Sequence, residues 1–183
     1  MTWVDAVPIV LILAYLVLGY FTGAFRRLIS LVSVYVACFS ATNMGIQTGG
    51  IIQQSSSLET PDARIYGFFG ILIAVILLID GAAQLVHKQI QIEAVVLNRT
   101  LGIAAGLVTA VLLSVLVTYE LEAAGNPIGG GQLDSVQLRI RDAIQGSKVA
   151  VPLTDALKKP VVFIFQPVLP PDPQIYFSFA NLA

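Results

Sequence analysis

Charged residues are scarce in this chain of 183 residues, and their scarcity excludes an ordinary soluble domain. Asp, Glu, Lys and Arg make up 11% of the sequence, and apolar residues make up 56%. In a typical globular protein about a quarter of the residues are charged. The formal net charge of −1 creates no field that would attract nucleic acid. We therefore expect a protein whose surroundings are lipid, with no nucleic-acid partner.

Cysteine and histidine occur once each. Cys38 has no second thiol for an intrachain disulfide, so we expect it to be a small buried side chain. His87 has no cysteine or second histidine to accompany it in a metal site. The sequence also contains no nucleotide-binding loop, catalytic triad or nucleophile elbow. We therefore predict no enzymatic activity, no catalytic residues, no cofactor and no metal.

Long apolar runs are what the chain does contain. The first 45 residues hold two of them, split by a short connector that carries Arg26 and Arg27. Each run has about the 20 residues that cross the hydrocarbon core of a bilayer. The stretch therefore predicts a transmembrane hairpin, with Gly19 and Gly23 serving the turn.

Two further apolar runs complete the predicted fold, which is all-α. We predict a polytopic membrane protein whose residues 1–122 form a four-transmembrane-helix bundle. A polar, glycine-rich loop should connect the second span to the third, and Asn98 should cap the start of the fourth. The four spans cover about residues 3–22, 26–44, 65–86 and 100–121.

The last sixty residues have a different pattern, and we predict that residues 123–183 form a tail outside the membrane. Apolar residues at helical spacing indicate an amphipathic helix over 132–146. Beyond Pro160, closely spaced prolines predict an extended Pro-rich segment. The aromatic residues near the C-terminus should dock on the bundle, on the membrane surface or on another chain: they are Tyr176, Phe177 and Phe179.

Positive residues predict the orientation, because lysine and arginine are retained in the cytoplasm. They flank the two short connectors, at Arg26, Arg27, Lys88 and Arg99. Both connectors should therefore lie inside, with both termini extracytoplasmic. All four residues are expected to be topology anchors, and the first pair could also bind anionic lipid headgroups.

Asp80 is a carboxylate within an apolar span, which makes it a candidate functional residue. Two roles are open for it: ion pairing near the interface with Lys88 or Arg99, and a proton or ion relay. Glycines at helical spacing in the third and fourth spans should allow close helix packing: these are Gly67, Gly70, Gly102 and Gly106.

Three stretches resemble the CvpA family, the bacterial colicin V production proteins. They are Asp5, Gly-Ala-Phe-Arg-Arg-Leu-Ile-Ser-Leu at 23–31, and Asn-Arg-Thr-Leu-Gly-Ile-Ala-Ala-Gly at 98–106. The resemblance extends from Asp5 to about Tyr119, with a looser echo at residues 147–152. It implies a small multi-span inner-membrane protein named for a requirement in colicin V production.

The chain also departs from the family pattern. Asn98-Arg99 stands where the family usually has Asp-Arg, and Thr109-Ala110 where it often has Arg-Gly. If those charges carry the family's function, this member has lost or altered it.

From these observations we expect a non-enzymatic inner-membrane protein with an accessory role in toxin production or secretion, or in envelope homeostasis. The alternative is a structural or assembly subunit of a larger membrane complex, docked through its tail. A third possibility is a small channel or transporter formed by an oligomer. The expected partners are the lipid bilayer and either other membrane subunits or a second copy of the chain.

Overall fold

A computed structural model describes residues 1–87, 95–128 and 133–179 of the chain. Every regular element within these ranges is a helix. In chain order the helices are α1 (Trp3–Ser55), α2 (Thr60–His87), α3 (Val95–Gly125), α4 (Ser135–Gln145), α5 (Ala150–Phe165) and α6 (Pro173–Tyr176).

Three helices are long and apolar enough to cross a membrane: α1, residues Thr60–Ala83 of α2, and residues Val96–Gly125 of α3. The predicted number of four spans is not confirmed by this criterion, because α1 is counted as a single helical run of 53 residues. A straight helix of that length would extend about 80 Å, more than twice the roughly 30 Å core of a bilayer.

The helical run of α1 is interrupted at Gly23. This residue has φ 76° and ψ 178°, and it is the one described residue of α1 with non-helical angles. Residues on both sides of it reach the same glycine of α3: a methyl group on Gly106 would meet the backbone of Tyr15, before the turn, and the Cδ of Arg27, after it. The chain therefore turns back at Gly23, and α1 consists of a first arm (residues 3–22) and a second arm (residues 24–55).

Contacts along the helices show that neighbouring segments run in opposite directions. Asp80 of α2 lies at the beginning of the second arm, where its carboxylate accepts a hydrogen bond from Ser30. Gly67, earlier in α2, packs on Gly45 and Gly49 near the end of that arm. The first arm, the second arm, α2 and α3 thus pass alternately between the two ends of one bundle.

The predicted loop after the second span is wrong over its first half. Residues 46–55 continue α1, and the connection to α2 is confined to the few residues after Ser55. Gly45, just after the predicted second span, lies inside α1 and faces Phe68 and Tyr176. Exposed polar side chains such as Gln53 lie on the outer face of this helical extension, so their polarity did not mark a helix end.

The tail is more helical than predicted. Helix α4 lies within the stretch for which the sequence predicts an amphipathic helix. The extended Pro-rich segment is wrong from Pro160 to Phe165, because α5 continues through these residues with Pro160 inside it. Val161 and Phe165 are buried, and their burial offsets the hydrogen bond that a proline removes from a helix.

The short helix α6 ends in the core, where Tyr176 and the following Phe177 are buried. Tyr176 and Phe177 pack edge-to-face on Phe68 of α2, with ring centres 5.7 and 5.6 Å apart. The Tyr176 hydroxyl donates a hydrogen bond to the backbone oxygen of Ala41 at 3.1 Å, and burial raises the pKa of this hydroxyl. We expected the aromatic residues of the tail to dock on the bundle, on the membrane surface or on another chain. Tyr176 and Phe177 dock on the bundle.

Candidate functional site

We call the end of the bundle that contains Gly23, Arg27, Asp80 and Asn98 the arginine end. The turn at Gly23 interrupts the helix at this end. It leaves the backbone N–H of Ala24 without a carbonyl acceptor in its own helix. Asn98 Oδ1 accepts that N–H at 2.9 Å. Asn98 was predicted to cap its own helix, but α3 begins three residues earlier, at Val95. It caps the second arm of α1 instead.

Arg27 is buried inside the arginine end, with 1% of its surface exposed. Its Nε donates to the hydroxyl of Thr22 at 3.2 Å, and its guanidinium carbon lies 5.3 Å from the centre of the Tyr15 ring. In the described part of the chain Nη1 has no hydrogen-bond partner. A side chain buried in this way is not available to a lipid headgroup, whereas its role as a topology anchor stays a prediction.

The other charged residues of this end lie nearer to the surface. Asp80 is half-buried, and its Oδ1 accepts a hydrogen bond from Ser30 at 2.9 Å. Arg26 donates from Nη2 to the backbone oxygen of Asp80 at 3.3 Å. Arg99 is exposed, with its guanidinium carbon 5.2 Å from the centre of the Tyr20 ring. Lys88, the remaining predicted topology residue, lies outside the described residues.

Glycines allow α3 to approach the first arm of α1 closely. A methyl group on Gly106 would collide with the backbone oxygen of Tyr15, as one on Gly102 would with Gly19. Gly19, which we expected to serve the turn, therefore lies within the first arm and packs against α3. Gly23 alone forms the turn.

On α2, two glycines that we predicted to serve helix packing differ in their surroundings. Gly67 meets the backbone of the second arm, whereas Gly70 is exposed and has open space where a side chain would stand. Gly70 makes no close helix contact among the described residues, because it faces outward from α2.

The opposite end, which we call the tail end, is held by Asp5. This carboxylate is 1% exposed. Its Oδ1 accepts hydrogen bonds from the Ser147 hydroxyl at 2.6 Å and from the backbone N–H groups of Lys148, Val149 and Ala150 at 2.9–3.2 Å. These N–H groups form the start of α5, so Asp5 places a negative charge at the positive end of that helix dipole. It binds the beginning of the chain to the tail.

Arg64 makes a second connection between bundle and tail. Its Nη1 donates to the backbone oxygens of Tyr176 and Ser178 at 3.2 and 2.7 Å. Neither this contact nor the role of Asp5 as a remote cap was predicted from the sequence. Each joins residues more than a hundred positions apart, and no local pattern marks them.

Glu120 is the third feature that sequence reasoning missed. It lies on α3, 1% exposed, and neither carboxylate oxygen has a hydrogen-bond partner in the described part of the chain. A buried polar group without a partner is destabilising, and a carboxylate more so. The charge was visible in the sequence, but its position near the end of an apolar run did not mark it as buried.

The polar contacts at the two ends hold helices of the bundle together. Among the described residues no group of three or more His, Cys, Asp and Glu side chains could hold a metal ion. Cys38 is a buried free thiol. The polar side chains at the two ends bind helix starts and one another, which fixes how the segments of the bundle are connected.

Comparison with known proteins gives one result. The family model described as "Colicin V production protein" matches residues 4–157. Neither the curated proteins nor the solved structures contain a match for the chain. The matched residues include the turn at Gly23 and both partners of the Asp5 cap. Because the match covers most of its length, the chain belongs to the colicin V production protein (CvpA) family.

Proposed function

We propose that the protein is a non-enzymatic protein of the bacterial inner membrane with an accessory role in colicin V production or secretion, or more broadly in the homeostasis of the envelope. The family match over residues 4–157 carries this proposal. The helices that are apolar enough to cross a membrane fit it.

We further propose that α1 crosses the membrane twice, which makes four crossings in all. The reversal at Gly23 supports this arrangement, because the two arms of α1 run in opposite directions along α3. Arg26 and Arg99, at the arginine end, favour a cytoplasmic position for that end. Both termini and the connection after Ser55 are then extracytoplasmic.

A complementation experiment tests the role. The chain is expressed in a colicin V-producing strain from which its own family member has been deleted, and killing of a sensitive lawn is measured. We expect killing to be restored, with Asp155→Ala as a control variant that retains activity, since Asp155 is exposed. The proposal would be contradicted if the chain were present in the membrane fraction at the level of the family member in the parent strain and killing were still not restored.

The alternative of a subunit that docks through its aromatic tail has less support. Tyr176 and Phe177 are buried against the chain's own bundle, and Phe179 remains 46% exposed. The tail therefore offers a partner little of the apolar surface on which that alternative was based.

A further inference from the structure

A cleft of about 550 Å³ opens on the side of the bundle near the tail end. The cleft is lined by Trp3 and Val7 of the first arm, by residues of α2, by Leu121 of α3 and by Ile140 of α4. This volume is typical of a pocket for a small molecule, for which 300–1,000 Å³ is usual.

One of the α2 residues that line the cleft is a glycine, Gly70. Tyr66, Gly70 and Ile73 lie one turn apart on the same face of α2 and line the cleft. Gly70 has open space at the position of a side chain, while Tyr66 and Ile73 are 48% and 56% exposed. The opening therefore faces outward from the bundle, toward the surroundings of α2.

The chemistry of the lining is uneven. Its side chains are apolar or aromatic with one exception, Arg139, which α4 places at the rim. Arg139 lies on the amphipathic helix, at an exposed position. A guanidinium binds a phosphate through paired hydrogen bonds. An apolar cleft with a single cation at one end complements a molecule that has an anionic head and a hydrocarbon tail.

We propose that the cleft binds one acyl chain of an anionic phospholipid, with the phosphate at Arg139. The outward opening would admit a chain from the bilayer, and the cation lies on α4, an amphipathic helix of the kind that suits a membrane interface. The proposal requires that the bundle lies in a bilayer, but it is independent of any role in colicin V production. A protein partner would need roughly 800 Å² of contact surface on each side. The cleft instead has the volume of a pocket that holds a small molecule.

Native mass spectrometry of the purified chain tests the proposal, with phosphatidylglycerol and phosphatidylcholine as probes. Gly70→Leu fills the cleft, and Gly81→Leu is its matched control, because Gly81 is also an exposed α2 glycine with open space around it. We expect the wild type to retain phosphatidylglycerol in preference to phosphatidylcholine. Gly70→Leu should lower that retention at least fivefold, while Gly81→Leu should leave it unchanged. Melting temperatures confirm that both variants are folded.

Arg139→Gln separates headgroup recognition from filling of the cleft. It should abolish the preference for phosphatidylglycerol and leave some binding of both lipids, whereas Arg141→Gln, also exposed on α4, should keep the preference. Equal lipid retention by the Gly70 and Gly81 variants would overturn the proposal. So would a wild type without headgroup preference. A change from dimer to monomer in Gly70→Leu with lipid retention unchanged would assign the cleft to a second copy of the chain instead.

Discussion

The arginine end and the tail end of the bundle hold buried charge by different means. At the arginine end the Arg27 guanidinium contacts side chains of the adjoining arm, Thr22 and Tyr15. At the tail end the Asp5 carboxylate accepts hydrogen bonds from the backbone of a helix that begins 145 residues later. The first arrangement is internal to a hairpin. The second exists only when the tail is docked, so the tail end depends on the whole chain.

The difference has a consequence for stability. A hairpin can keep its local contacts when the rest of the chain loosens, whereas a remote cap is lost as soon as either partner moves. We therefore expect substitutions at the tail end to release α4–α6, and substitutions at the arginine end to disturb the two arms of α1. Four substitutions test this contrast.

Asp5→Ala should have the largest effect. It removes the acceptor of three backbone N–H groups at the start of α5 and leaves them unsatisfied in a buried site. We expect the largest drop in melting temperature among the four variants, together with new protease cleavage around residues 146–149. Asp155→Ala, in an exposed ion pair with Lys158, should change little. Equal melting temperatures for the two variants would show that the cap does not hold the tail.

Gly23→Ala should have the next largest effect on stability. The backbone at φ 76° and ψ 178° is nearly exclusive to glycine, and a methyl group would also collide with the Asn98 side chain. We expect a loss of about 2 kcal/mol in the free energy of unfolding, or roughly 4–8 °C in melting temperature in detergent. Gly81→Ala should be neutral or stabilising, because Gly81 is helical with open space around it. A Gly23 variant as stable as the wild type would argue against the turn.

Glu120→Leu should act in the opposite direction. Removing a buried carboxyl group that has no partner should raise the free energy of unfolding by about 1.5 kcal/mol. Glu122→Leu, two residues on and half-buried beside a polar cavity, should give no such gain. Thermal unfolding in detergent measures both. Destabilisation by Glu120→Leu would mean that the carboxyl group has a stabilising partner.

Asn98→Ala should have the smallest effect, a loss of about 1 kcal/mol, which is typical of a lost helix N-cap. Asn43→Ala is the control, because Asn43 is exposed and hydrogen-bonds to the backbone oxygen of Phe39 in its own helix. The two melting curves should differ by roughly 2–4 °C. Coincident curves would remove Asn98 from the turn.

The same contrast explains which features could be predicted from the sequence. The apolar runs, the break near Arg26 and the glycines of α3 are local patterns, and each marks a real feature of the bundle. The first half of the predicted loop and the extended tail were wrong for one physical reason. Gln53 and Pro160 oppose membrane insertion or helix formation locally, but tertiary packing decides whether a helix continues through them.

The candidate site was predictable only in part. Asp80 could be singled out as a charge in an apolar run, Asn98 as a candidate N-cap, and Asp5 through the family resemblance. Their partners could not, since the bonds from Asp5 to Ser147 and from Asn98 to Ala24 span 142 and 74 positions. The burial of Glu120 was equally hidden, because it depends on how the tail folds against α3.

Accessibility of single cysteines tests the central claim, the reversal of α1 at Gly23 within the membrane, most directly. On a Cys38→Ser background, cysteines replace exposed residues before the first arm, at the turn and after the second arm: Trp3, Phe25 and Ser56. A membrane-impermeant maleimide should label the first and last in intact spheroplasts, and Phe25→Cys only after permeabilisation. Labelling of Trp3→Cys and Ser56→Cys from opposite sides would contradict the account.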